Sequence, residues 1–164
     1  MAKLSALQRE IRQSRPFRSA AEEASLGVVR TAAMIRRAVA RVVEPFGITP
    51  AQYNVLRILR GAGTAGLPTL AVRDRLLEEA PGITRLLDRL ERSGLVRRSR
   101  STPDRRQVMC HPTPRGLALL TRLDPLIGAA DESGAAGLRV KEQRALIQLL
   151  DRVRDRMREA SRDQ

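Results

Sequence analysis

From Ala80 to Val96 the chain reads APGITRLLDRLERSGLV, and it continues to Pro112 as RRSRSTPDRRQVMCHP. Ile83, Leu86, Leu87 and Leu90 recur at the i, i+3, i+4, i+7 spacing that gathers apolar side chains on one helical face. At about 100° per residue the opposite face carries Pro81, Arg85, Asp88 and Arg92, flanked by Thr84 and Arg89. Gly94 predicts the helix end, because glycine adopts the left-handed conformation needed just past a helical C-terminus. Leu95 and Val96 then open a strand. Pro103 and Asp104 supply turn chemistry within 101–105, and residues 107–111 return as a second strand. A short amphipathic helix followed by an arginine-laden hairpin predicts the recognition half of a winged helix-turn-helix.

The 164 residues suit one domain able to bury roughly 70% of its unfolded surface. Two Phe, one Tyr and no Trp leave the core to Leu, Val, Ile and Ala, which predicts a mainly α fold. Thirty-one Lys and Arg against eighteen Asp and Glu give +13, a field that attracts polyanions, of which nucleic acid is the commonest. One Cys excludes an internal disulfide, and one Cys with one His leaves no zinc-ligand cluster. No cofactor or metal is expected. No apolar run approaches the ~18 residues of a membrane span, and the first twenty residues lack a secretory h-region. A reducing cytoplasm fits, although the Arg-rich, acid-poor start also has the composition of a transit peptide.

Outward from the central stretch, 48–53 read ITPAQY. Thr49 as cap, Pro50 at the first helical position and Gln52 completing a capping box predict a helix to about Arg60, with Ile48 stapled onto Tyr53. Gly61, Gly63, Gly66 and Pro68 predict a loop, and a further helix follows from about Thr69 to Leu77. Upstream, a long helix is expected from Ala20 to Val43, where Val28, Ala32, Ile35, Val39, Val42 and then Phe46 step by 4, 3, 4, 3, 4. Before it, Lys3, Arg9, Arg12, Arg15 and Arg18 form a basic arm, disordered or briefly helical. Downstream, Thr113-Pro114 repeats the cap-then-proline start, Asp124-Pro125 is expected to kink or break that helix, and 128–137 is expected to be flexible. A last helix from about Val140 to Ala160 sets Leu146, Leu149, Leu150, Val153 and Met157 on one stripe. The division expected is a basic arm at 1–19, a dimerisation helix at 20–47, the DNA-binding region at 48–112 and dimerisation helices at 113–164.

The segment from Ile48 to about Leu120 resembles the MarR family of bacterial transcription regulators. The resemblance rests on TPAQY at 49–53, ITRLLDRLE at 83–91 and GLV at 94–96. In the wing, Asp104, Arg106, Val108, Thr113 and Gly116 fall at the family spacing D-x-R-x-V-x-x-x-x-T-x-x-G. It implies four helices, a two-stranded β-wing and two more helices, an obligate homodimer with interlocked terminal helices, and a pseudo-palindromic double-stranded DNA operator. It also implies release by a small-molecule effector or by cysteine oxidation. The chain departs from the family at 78–82, where EEAPG replaces a polar start to the recognition helix, and at Pro112.

Arg85 is placed to meet guanine O6 and N7, or to contact a phosphate or pair with Asp88. Arg89 and Arg92 suit phosphates, and Thr84 a base edge or a local cap. Pro81 and Gly82 start the helix at the DNA. Arg97, Arg98, Arg100, Arg105 and Arg106 suit a narrow minor groove, and the resemblance implies that Asp104 orients Arg106. Val28, Ala32, Ile35, Val39, Leu146, Leu149, Leu150, Val153 and Met157 are the expected dimerisation residues. The reading is a sequence-specific DNA-binding regulator, a repressor by expectation and not an enzyme. The alternatives are a thiol redox sensor through Cys110 and a winged-helix module that binds RNA or an acidic protein.

Overall fold

The computed structural model describes residues 4–78, 82–100 and 107–162. It divides between Asp124 and Pro125 into two compact units. The first begins with α1 (Ala6–Glu10), closed by a reciprocal capping box between Ser5 and Gln8. The basic arm is thus helical in part, and Glu10 ties it to Arg30 at 2.7 Å. Next comes α2 (Ala20–Val43), which passes through a 3-10 turn to Gly47 at φ +77°. The chain continues through α3 (Pro50–Gly61), β1 (Leu67–Pro68) and α4 (Thr69–Asp74) to α5 (Ile83–Arg92), β2 (Val96–Arg100) and β3 (Val108–Pro112). The first part of α6 (Pro114–Ala135) completes this unit.

The predicted start of α3 is present in detail. Thr49 Oγ1 accepts from Gln52 N at 3.3 Å, and Gln52 Oε1 accepts from Thr49 N at 2.9 Å. Two helix N–H groups that would otherwise lack partners are thereby satisfied. From this start Tyr53, Val55, Leu56 and Leu59 enter the core beside Val72, Leu87, Leu90, Val96, Cys110, Leu120 and Leu123. The core is aliphatic, as the composition requires.

Four expectations need correction. The stretch expected as a loop through Gly66 and Pro68 contains β1, an edge strand beside the two-stranded wing in the order β1-β3-β2, in which Leu67 pairs with Cys110 and Pro68 with Met109. A two-residue strand has no alternation to read, and Pro68 is tolerated because β1 is an edge strand. The α4 helix stops at Asp74, short of Leu77, because the Leu77 N–H is taken by Asn54 Oδ1 at 3.0 Å from outside the helix. Pro125 does not break α6, which runs on to Ala135. One lost N–H is offset by the anchorage of Leu120 and Leu123, both fully buried just upstream. The 128–137 stretch is accordingly helical for most of its length, since Ala129, Ala130, Glu132 and Ala135 favour helix strongly enough to carry Gly128 and Gly134.

The second unit holds the rest of α6 and α7 (Val140–Arg162). Glu142 caps the start of α7 by accepting from the Arg139 backbone N at 2.8 Å and pairing with its guanidinium at 3.0 Å. No residue of α7 is buried.

The closest approach in the first unit is at Gly116, where a Cβ would lie 2.3 Å from the Leu95 carbonyl oxygen. That atom is backbone and cannot swing aside. Gly116→Ala is therefore expected to destabilise the protein by about 1–3 kcal/mol, the usual cost of overpacking, read as a lower midpoint in urea unfolding.

Candidate nucleic-acid interface

The α5 helix is held from behind, beyond its end and from one side. Behind, Ile83, Leu87 and Leu90 are buried. Beyond its end, Gly94 at φ +67° makes the turn, with Leu95 N donating to Leu90 O at 2.9 Å and Gly94 N to Glu91 O at 2.8 Å. These two bonds form a Schellman motif, and they send the chain directly into β2. Thr113 then binds the corner to α6. Its Oγ1 donates to Gly94 O at 2.7 Å and accepts from Gly116 N at 3.1 Å, while its own N–H donates to Leu95 O at 3.1 Å.

The lateral brace is Arg98. Its Nε donates to Glu91 Oε2 at 2.8 Å and its backbone N donates to Glu91 Oε1 at 3.0 Å. Its Nη2 lies 2.6 Å from Glu91 Oε2 and 2.6 Å from Asp88 Oδ1. The wing's first strand is thus ion-paired to the side of α5. The guanidinium holds the Glu91 carboxyl below its ordinary range, chiefly through the side-chain hydrogen bond, against an opposing contribution from burial. A seven-residue separation across a helix end and into a strand follows no periodicity, so this brace is not legible in the sequence. It also gives Asp88 a partner other than Arg85.

With one side occupied, the solvent face of α5 presents Gly82, Thr84, Arg85, Arg89 and Arg92, all exposed. Gly82 precedes the helix at φ +102°, ψ +37°, and among the described residues no side chain caps it. The first N–H groups of α5 therefore keep the partial positive charge that favours an anion. Arg92 Nε donates to Asp88 O at 3.3 Å, steadying that side chain over the last turn. Arg97 and Arg100 are exposed on β2. Pro81, Asp104, Arg105 and Arg106 lie outside the described residues. Ahead of α5 in the chain, Glu78 Oε1 meets Arg36 Nη1 of α2 at 3.0 Å, another pairing that the sequence did not reveal.

Cys110 is fully buried on β3, and desolvation raises its thiol pKa, partly offset by Thr69 Oγ1 at 3.6 Å. Burial of this kind opposes thiolate formation and gives the redox reading no support. His111 is a strand residue packed against Gly66. Among the described residues no group of three or more His, Cys, Asp and Glu could hold a metal ion, and no helix is long and apolar enough to cross a membrane.

A winged helix-turn-helix whose recognition helix carries exposed arginines is the DNA-binding unit of transcription regulators. Comparison with known proteins agrees. The profile of the MarR family matches residues 48–108. The chain is 37% identical over 110 residues to the HTH-type transcriptional regulator TtmR of Methylorubrum extorquens, covering 67% of this chain and 54% of that protein. It is 30% identical over 110 residues to the homoprotocatechuate degradative operon repressor of Escherichia coli, covering 67% and 73%. It thus spans about half the length of the first relative and about three quarters of the second. Among solved structures, a variant of E. coli MarR complexed with operator DNA is similar at a TM-score of 0.74 and 26% identity, over 91% of this chain and 99% of that one. The chain belongs to the MarR family of transcriptional regulators, which are not enzymes.

The Glu91 ion pair has a defined pH signature. A carboxylate held below its ordinary value of 4.5 stabilises the fold above that value, and the contribution is lost as pH falls through the lower folded value. Glu91→Gln is expected to cost about 0.5–1 kcal/mol at neutral pH, a small effect because the pair is partly screened by solvent. The difference from wild type should shrink as pH falls below 4.5, in urea unfolding compared at neutral and at acidic pH.

Proposed function

We propose that the protein is a repressor that binds a pseudo-palindromic operator as a homodimer, with α5 in the major groove, the wing beside it and a small-molecule effector releasing the complex. The observation that carries this reading is the exposed Thr84, Arg85, Arg89 and Arg92 face of a helix fixed from behind, beyond its end and from one side. Positioning of this quality is what base reading requires, since bidentate contacts tolerate little misplacement. In this reading Arg85 reads guanine, Thr84 and Gly82 approach base edges beside Pro81, and Arg89 and Arg92 hold phosphates. Arg100, Arg105 and Arg106 serve the flanking minor groove, with Asp104 ordering the wing. Arg98 acts through α5 as a brace.

Assembly is supported by apolar surface left uncovered. On α2, Val28 and Ile35 are 43% and 55% exposed, Ala32 is exposed and Val39 half-buried. On α7, Leu146, Leu149, Val153 and Met157 are all at least 45% exposed, and Leu150 is half-buried. Stripes of this length on two helices are explained by a second copy that covers them. The domain assignment follows: an arm at 1–19, dimerisation elements at 20–47 and 113–164, and the DNA-reading region at 48–112. Sedimentation is expected to give a dimer at micromolar concentration; a stable, folded monomer there would sink this part of the reading.

Two recognition helices related by a two-fold axis enter successive major grooves, so the operator is expected to be an inverted repeat with half-sites centred ~34 Å apart. Arg85→Ala should cost about 1–3 kcal/mol on the best site and relax one position per half-site, whereas Arg89→Ala should weaken all sites alike and lower the salt slope by about 1 per contact. Binding to defined duplexes at several salt concentrations separates the two. Identical behaviour of both variants across sequences would remove guanine reading from Arg85.

A further inference from the structure

Among the described residues the cluster that braces α5 is not electrically closed: two carboxylates, Asp88 and Glu91, share one guanidinium, Arg98, which leaves one negative charge over on a helix whose neighbouring side chains are cations. The hydrogen bonds show where it resides. Glu91 is satisfied at both oxygens, Oε1 by the Arg98 backbone N and Oε2 by Nε. Asp88 is held at Oδ1 alone, and among the described residues its Oδ2 has no hydrogen-bond partner. The Asp88 side chain is 39% exposed, and it lies between Arg85 and Arg92 on the solvent side of α5.

A fixed carboxylate among DNA phosphates is repelled wherever it meets the backbone. It is favoured only where a base edge offers a donor, and in the major groove the exocyclic amino group of cytosine, N4, is the donor that suits an Asp or Glu acceptor. We infer that Asp88 determines sequence specificity by accepting a hydrogen bond from cytosine N4, and that Arg98 positions it by fixing Oδ1 and leaving Oδ2 towards the groove. The inference rests on the reading that α5 enters the major groove. Asp88 lies three residues beyond Arg85, about 4.5 Å along the helix axis, which fits neighbouring base pairs about 3.4 Å apart. Each half-site then contains a guanine read by Arg85 and, at an adjacent step, a cytosine read by Asp88. The same carboxylate weakens binding to every other sequence, so the residue gains discrimination at the expense of general affinity.

The test uses the full chain and a set of operator duplexes in which each position of one half-site is changed in turn to all four bases. Wild type should favour cytosine at one position per half-site by about tenfold or more, the discrimination expected of a good base contact. Asp88→Asn has the same shape and still accepts from Arg98 at Oδ1, but it turns an N–H donor towards the groove where Oδ2 stood and cannot accept from cytosine N4. It should lose the cytosine preference and bind non-operator DNA more tightly than wild type. Arg98→Lys keeps the charge but cannot hold both carboxylates; it should weaken the cytosine preference while the guanine preference of Arg85 persists. A simple structural role would lower affinity for all duplexes by one factor and leave the base profile unchanged, and that result in both variants would overturn the inference. So would a uniform rise in affinity for Asp88→Asn with an unchanged profile, which would make Asp88 only a repellent of phosphate. If wild-type protein binds none of the duplexes, the assignment of α5 to the major groove falls, and this inference with it.

Discussion

The exposed arginine face of α5 depends on one corner of backbone, Gly94-Leu95. There the last turn of α5, the residue that leads into β2 and the residue just before α6 are joined by hydrogen bonds from Leu95 N, Gly94 N, Thr113 N and Thr113 Oγ1. Gly116 completes the junction, because only a residue without a side chain lets α6 approach the Leu95 carbonyl this closely. The consequence is mechanical. The direction of α5 relative to the hairpin is set at this corner mainly by backbone groups, with Arg98 bracing it from the side, so the arginines on its exposed face start from a fixed frame.

Electrostatics then decide what that frame offers. Arg98 withdraws from the cationic surface to hold Glu91 and Asp88, leaving Arg85, Arg89 and Arg92 as the cations on the outward face. An exposed ion pair adds little stability, but here it links a helix to a strand and aims a carboxylate. Its value lies in geometry. The tether between Arg36 and Glu78 has the same character: partly exposed, individually weak, and joining α2 to the segment that leads into the recognition helix.

Burial divides the molecule differently. The first unit closes around Leu56, Leu59, Leu87, Leu90, Leu120 and Leu123, all fully buried, whereas α7 contributes nothing to a core of its own. A helix with five apolar residues on one stripe and none of them buried is incomplete as it stands. Its amphipathic pattern is meaningful only with a covering surface.

Much of the first unit was legible in the sequence, because its signals are local. The capping box at Thr49 and Gln52, the leucine spacing of α5 and the glycine at 94 each act within a few residues, where backbone hydrogen bonding and side-chain period leave few alternatives. The length of α2 was likewise set by its own caps and by Pro45 and Gly47. What the sequence could not determine was pairing at a distance. The strand Leu67–Pro68 exists only because β3 offers it an edge, α4 ends where Asn54 captures the Leu77 N–H, and α6 survives Pro125 because its buried leucines outweigh one missing donor. Arg98 shows the limit most clearly: composition marks it as one more cation for DNA, and only the tertiary fold, by bringing β2 against the side of α5, commits it to Asp88 and Glu91.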